Sequence, residues 1–232
     1  MKGSRSNRSV WLTFVLMLAA AASVVVTLEL LESALATFAV YYLLFCLALP
    51  AALLLFIEKK TVKEGMEYIG LTTPCCRNGL TVGLVSGLAF FLAIVFGSFF
   101  LFDDLLLSAD IPEVVEGWGI APGMAPPFAA LMLVLNGGAE ELFWRGFIYQ
   151  RLEGQGWPGI VLAALFYGSY HIVTVISLVG SAFMGTLFVL VIFAAGCFWG
   201  WSRYRFGSVW PALISHVLVT AGYLTVFLWR VY

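Results

Sequence analysis

Apolar residues gather in seven long runs, roughly Val10 to Thr27, Leu35 to Ile57, Leu80 to Phe102, Phe128 to Tyr149, Pro158 to Val179, Ala182 to Trp201 and Val209 to Trp229. Polar or Gly/Pro-containing breaks separate them. A spanning helix needs about 20 mainly apolar residues, so the pattern predicts an all-α, polytopic transmembrane helix bundle of about seven spans. Trp11, Trp157, Trp201, Trp210 and Trp229 sit at the ends of runs, where interfacial anchors belong. The first run follows a basic tail, as a signal peptide does, but its long apolar core and the further runs favour a retained anchor. Between runs, the loop from Glu58 to Asn78 has room for an amphipathic interfacial helix ending before Pro74. The acidic loop from Asp103 to Pro127 is expected to wrap the outer surface irregularly, with Pro126 and Pro127 opening the fourth helix.

Composition supports lipid over a large soluble core. Of 232 residues, 62% are hydrophobic and 11% charged, against about half and about a quarter in soluble domains. A chain this short has too much surface to hide that much apolar area from water. It reads as a single integral membrane domain, 1–232, with the lipid bilayer as its surroundings. The net charge of -1 points to no nucleic-acid partner. Its distribution is informative instead. Lys2, Arg5, Arg8, Lys59, Lys60, Lys63, Arg77, Arg151, Arg203 and Arg205 fall on one side of a seven-span chain. Glu29, Glu32, Asp103, Asp104, Asp110, Glu113 and Glu116 fall on the other, with Arg230. The positive-inside rule then puts the N-terminus in the cytoplasm and the C-terminus outside.

Cys46 and Cys197 lie in apolar runs, where a thiol behaves as a small hydrophobe. Cys75 and Cys76 are adjacent in a polar loop, without zinc-like spacing, and read as free thiols on the reducing side. Juxtamembrane acylation is the functional alternative for them.

The fourth run carries the chemistry. It contains Asn136-Gly137-Gly138-Ala139-Glu140-Glu141 followed by Arg145. Each charge costs roughly 2.5–3.5 kcal/mol at the centre of a spanning helix, and such residues default to function. Glu141 and Arg145 are four apart and can pair on one face. Glu140 points about 100° away from that pair, and Asn136, one turn before it, could hydrogen-bond its carboxyl group. Gly137, Gly138 and Gly146 suit close helix packing. The two histidines of the chain, His171 and His216, lie in the fifth and seventh runs. Glu140 lies about 10 residues from the cytoplasmic end of its run, His171 about 13 and His216 about 7, so at 1.5 Å per residue the three can converge in the inner half of the bilayer. Tyr167 shares a face with His171, and Thr220 with His216.

Such a cluster suits hydrolysis. A carboxylate desolvated among helices can take a proton from water, a histidine can orient that water or pass the proton on, and a second donor can stabilise the oxyanion. Ser215 and Ser169 do not share a face with the neighbouring histidines, so neither is placed as a nucleophile. The zincin pattern of two histidines four apart is absent.

Glu140-Glu141-x-x-x-Arg145, an aromatic four before His171, and Ser208-Val209-Trp210-Pro211 leading to His216 resemble the CAAX protease and bacteriocin-processing family, which includes the type II CAAX prenyl endopeptidases. The resemblance runs from roughly Asn136 to Thr220 and places the family-like core at about 126–230. It implies a glutamic intramembrane endopeptidase that uses no cofactor and cleaves a membrane-associated peptide or protein substrate, with or without a lipid modification. It also implies the plasma membrane of a prokaryote, with the active site toward the cytoplasmic half. By the resemblance Glu140 is the general base, His171 helps to hold the attacking water, His216 donates to the oxyanion, and Glu141 and Arg145 support them. The family usually has asparagine or aspartate four residues after the last histidine; Thr220 stands there, a shorter and less versatile hydrogen-bonding group.

Two other readings stay open. One is a zinc peptidase using His171, His216 and a glutamate. The other is a non-catalytic membrane protein, such as an immunity factor, scaffold or transporter, whose buried charges form a structural network.

Overall fold

In lipid a lone spanning segment can satisfy its amides only within itself, so apolar runs of this length must be helical. The computed structural model describes residues 7–72, 75–105, 110–152 and 155–230. Lys2, Arg5 and Pro74, used above, lie outside them. In chain order the helices are α1 (residues 7–30), α2 (Ala34–Ile57), α3 (Val62–Tyr68), α4 (Arg77–Leu105), α5 (Ile111–Gly117), α6 (Pro122–Leu152), α7 (Trp157–Val179), α8 (Ala182–Phe206) and α9 (Trp210–Arg230). Six of them, α1, α2, α4, α7, α8 and α9, are long and apolar enough to cross a membrane. The count becomes seven if α5 and α6, bent by 82° to each other, form one span. No strand occurs among the described residues, and the chain is an all-α polytopic bundle.

Local signals explain the short helices. Thr61 caps α3 by accepting the Glu64 amide at 3.3 Å, while the Glu64 carboxylate accepts the Thr61 amide at 2.7 Å. The acidic loop departs from the irregular path expected of it, because it contains α5. Asp110 accepts the Glu113 amide at 3.1 Å and Pro112 sits in the first turn. Together these make a helix start that a loop reading overlooks. Pro126 and Pro127 do fall at the start of the regular helical part of α6.

Helix α6 runs through the middle of the bundle, against α9, α2, α7 and α8. Met17, Tyr41, Phe143, Trp144, Phe147, Ile148 and Trp199 form the interior, whereas Trp11, Leu35, Phe56, Phe100 and Phe183 stand on the outside. Helix α4 lies along α9, and α7 along α8. A Cβ added to Gly137 would meet Val217 Cγ2 at 2.7 Å and its Cα at 2.8 Å. Glycine is therefore what lets α6 approach α9 closely enough for their polar groups to meet. The segment after α3 is pinned under the same two helices. Gly70 O accepts the Val209 amide at 3.1 Å, and Trp210 Nε1 donates to Leu71 O at 2.8 Å.

Within α6 the backbone widens into π-type turns over Leu135–Ala139 and Leu142–Ile148, on either side of Glu140 and Glu141. Helices α1 and α2 widen in the same way over Val25–Leu30, Phe38–Ala48 and Leu53–Ile57.

Candidate active site

Five polar side chains of α6 and α9 are sealed inside the bundle: Glu140 (1% exposed), Glu141 (0%), Arg145 (3%), His216 (2%) and Thr220 (0%). Buried charges need partners, and Glu141 has two. Arg145 Nη1 donates to Glu141 Oε1 at 2.6 Å, and His216 Nδ1 donates to the same oxygen at 2.8 Å. Arg145 also reaches Gly196 O at 3.2 Å and lies over the Tyr167 ring, 4.5 Å from its centroid. The Trp199 ring stacks on the His216 imidazole at 4.1 Å and 18°, and its indole donates to Ser215 Oγ at 3.0 Å. With Nδ1 committed to Glu141, the imidazole turns Nε2 toward Glu140.

Glu140 is held differently. Its Oε1 accepts Tyr170 OH at 2.8 Å; Tyr170 accepts Tyr41 OH at 2.8 Å; Tyr41 accepts Trp144 Nε1 at 3.0 Å. Its Oε2 is buried, carries no hydrogen bond, and faces His216 Nε2 at 3.9 Å. A buried oxygen without a partner calls for an explanation.

Asn136 closes the third side. Tyr42 OH donates to its Oδ1 at 2.9 Å, which turns the amide nitrogen toward Thr220 Oγ1 at 3.1 Å and His216 Nε2 at 3.4 Å. Tyr167 OH stands 3.5 Å from the same ring nitrogen. Glu140 Oε2, Asn136 Nδ2 and Tyr167 OH thus converge on His216 Nε2 inside an apolar bundle. Groups of these kinds can orient a water, take its proton and donate to a developing oxyanion.

Comparison with known proteins bears on this geometry. Residues 122–222 match the Rce1-like family, type II CAAX prenyl endopeptidases. That is a protease family. The matched segment holds Asn136, Glu140, Glu141, Arg145, His171, His216 and Thr220, whereas Tyr41 and Tyr42 precede it. No curated protein and no solved structure matches the chain.

Of the residues that sequence singled out, Glu140, Glu141, Arg145, His216 and Thr220 meet around one point. His171 stands one layer away. It is half-buried, donates through Nδ1 to Tyr167 O at 2.9 Å, and stacks on the ring of Tyr170 at 4.2 Å, whose hydroxyl binds Glu140. The bond expected from Asn136 to Glu140 does not form. The π-type turn between them breaks the usual one-turn alignment, and Asn136 binds Tyr42 and Thr220 instead. A carboxamide therefore does stand beside His216, supplied by α6 rather than by the position of Thr220. Sequence reading missed Tyr41, Tyr42, Trp144, Tyr170 and Trp199. The available signal was the pair Tyr41-Tyr42 inside an apolar run, since a buried phenol seeks a partner. Among the described residues no group of three or more His, Cys, Asp or Glu side chains is placed to hold a metal ion.

Proposed function

We propose that the protein is an intramembrane endopeptidase that hydrolyses a peptide bond of a membrane-associated, lipid-modified substrate with a water activated by Glu140. The observation that carries this reading is Glu140 Oε2, buried, free of hydrogen bonds and 3.9 Å from His216 Nε2. A water between them takes the proton-accepting carboxylate on one side and the imidazole on the other. As the water oxygen bonds to the scissile carbonyl carbon, its proton passes to Glu140. Asn136 Nδ2 and Tyr167 OH are placed to donate to the oxyanion. Glu140 then returns the proton to the leaving nitrogen as the C–N bond breaks. Glu141, neutralised by Arg145, holds the imidazole in the tautomer that leaves Nε2 facing the water. His171, stacked on Tyr170, borders the approach to these groups. With the N-terminus cytoplasmic, the reaction takes place in the cytoplasmic half of the bilayer.

A purely structural charge network is the competing reading. The Glu141–Arg145–His216 group would serve it, since its charges offset one another. Glu140 would not, because no arginine or lysine is placed against its carboxylate as Arg145 is against Glu141, and its Oε2 faces only the imidazole. The test uses the purified full chain in liposomes with a quenched fluorogenic peptide bearing a farnesylated C-terminal cysteine motif, and its unprenylated twin. The parent is expected to cleave the farnesylated peptide. Glu140→Gln is expected to lose about 10²–10⁴-fold in rate, the usual size of a general-base contribution. Equal cleavage by parent and variant would overturn the assignment.

A further inference from the structure

The two oxygens of Glu140 are unequal, and the cause lies outside α6. The chain Trp144 Nε1 to Tyr41 OH to Tyr170 OH to Glu140 Oε1 has a fixed polarity. An indole N–H can only donate. At the other end an ionised carboxylate can only accept, so the Tyr170 proton goes to Glu140 and the bond between the two phenols is donated by Tyr41. Every link is 2.8 to 3.0 Å, and all four residues are buried. The rings are braced as well: Tyr41 and Tyr170 lie 5.3 Å apart, and Tyr170 stacks on His171 at 4.2 Å. The terminal torsion of a glutamate is broad and roughly two-fold, so packing alone does not choose which oxygen faces a neighbour. A directed donor at Oε1 does choose.

We infer that Tyr41 and Tyr170 are positioning residues that form a one-way relay onto Glu140 Oε1, so that Oε2 alone is presented toward His216 as the proton-accepting atom. This rests on the reading of Glu140 as the base. It makes α2, which precedes the family-matched segment, part of the apparatus. Tyr41 acts mainly through Tyr170, although its hydroxyl also lies within reach of the Glu140 carboxyl group, and that ordering separates a relay from simple packing. Two phenols that merely fill space contribute independently, whereas links of one chain do not add.

The experiment is a two-by-two cycle of Tyr41→Phe and Tyr170→Phe in the full chain, with Glu140→Gln as reference. With the farnesylated peptide, Tyr170→Phe is expected to lower kcat by about ten- to a hundredfold, the scale of one hydrogen bond to a charged group, with KM unchanged. Tyr41→Phe alone is expected to lower kcat several-fold. On the Tyr170→Phe background it is expected to cost clearly less than it does in the parent. Additive losses, or a full kcat in Tyr170→Phe beside an inactive Glu140→Gln, overturn the relay while leaving the hydrolytic reading standing. A second readout needs no substrate. The infrared carboxyl band of Glu140, isolated as the parent minus Glu140→Gln difference, is expected to move in both single variants, and in the double variant by clearly less than the two shifts summed. A band unmoved by Tyr170→Phe sinks the relay even if the parent cleaves no peptide, the result by which the hydrolytic reading fails separately.

Discussion

Glu140 and Glu141 are neighbours in sequence and almost equally buried, yet the protein surrounds them in opposite ways. Glu141 meets charge: an arginine at 2.6 Å and an imidazole at 2.8 Å share one of its oxygens. Glu140 meets a neutral phenol on one oxygen and, on the other, only the imidazole at 3.9 Å. Each glutamate has one buried oxygen without a hydrogen bond, but only Glu141 has an arginine beside it. An opposite charge at hydrogen-bond distance stabilises a buried carboxylate and commits it to structure. A phenol fixes orientation without neutralising, and so leaves a carboxylate able to react. The contrast between the two residues separates a group that holds the site from a group that works in it.

The contrast can be broken most violently on the structural side. Arg145→Leu strands the Glu141 carboxylate with one partner, and removing one member of a buried ion pair costs about 3–5 kcal/mol. The expected result is a steep fall in the unfolding midpoint and in folded yield. Adding Glu141→Leu is expected to recover much of that loss, because an apolar pair replaces the charge pair, while activity stays low since His216 has lost its anchor. Next in size is Asn136→Leu, which leaves the hydroxyls of Tyr42 and Thr220 without their amide. Each unsatisfied buried group costs about 1–3 kcal/mol. Loss of an oxyanion donor is also expected to lower kcat by about 10²–10³-fold, read with the farnesylated peptide. Thr220→Val removes the acceptor for Asn136 and a hydroxyl partner of Tyr223, with no charge involved. It is expected to cost about 1 kcal/mol in thermal unfolding and to leave most of the activity.

The smallest effect lies far from the site. Thr61 holds the exposed Glu64 carboxyl below its usual range through its backbone and side-chain hydrogen bonds. A folded value below the unfolded one adds stability above the ordinary carboxylate range, and this is lost as pH falls through the folded value. The protection factors of the α3 amides, with the intrinsic pH dependence of exchange divided out, are expected to fall at acid pH in the parent and to stay level in Glu64→Gln.

Much of this was legible in the sequence because membrane insertion makes charge expensive. Long apolar runs gave spans, and Glu140, Glu141 and Arg145 stood out because no other Asp, Glu, Lys or Arg lies in those runs. Their spacing also shows that Glu141 and Arg145 can pair. The aromatic donors were invisible for the opposite reason. Tyr41, Tyr42, Trp144, Tyr170 and Trp199 look like ordinary members of apolar helices, and only three-dimensional placement shows that each indole or hydroxyl is spent on the site. Asn136 was misassigned because a period of 3.6 residues was applied across a stretch that winds more widely. The helix α5 was missed because capping by Asp110 was hidden in a loop rich in acid and proline.

The most direct measurement pairs rate with stability in two single variants. Glu140→Gln keeps an oxygen for Tyr170 to bind, so it is expected to unfold near the parent midpoint while peptide cleavage vanishes. Glu141→Gln is expected to unfold well below it. If the chain with glutamine at position 140 cleaves as fast as the parent, the water-activating role of that carboxylate is contradicted.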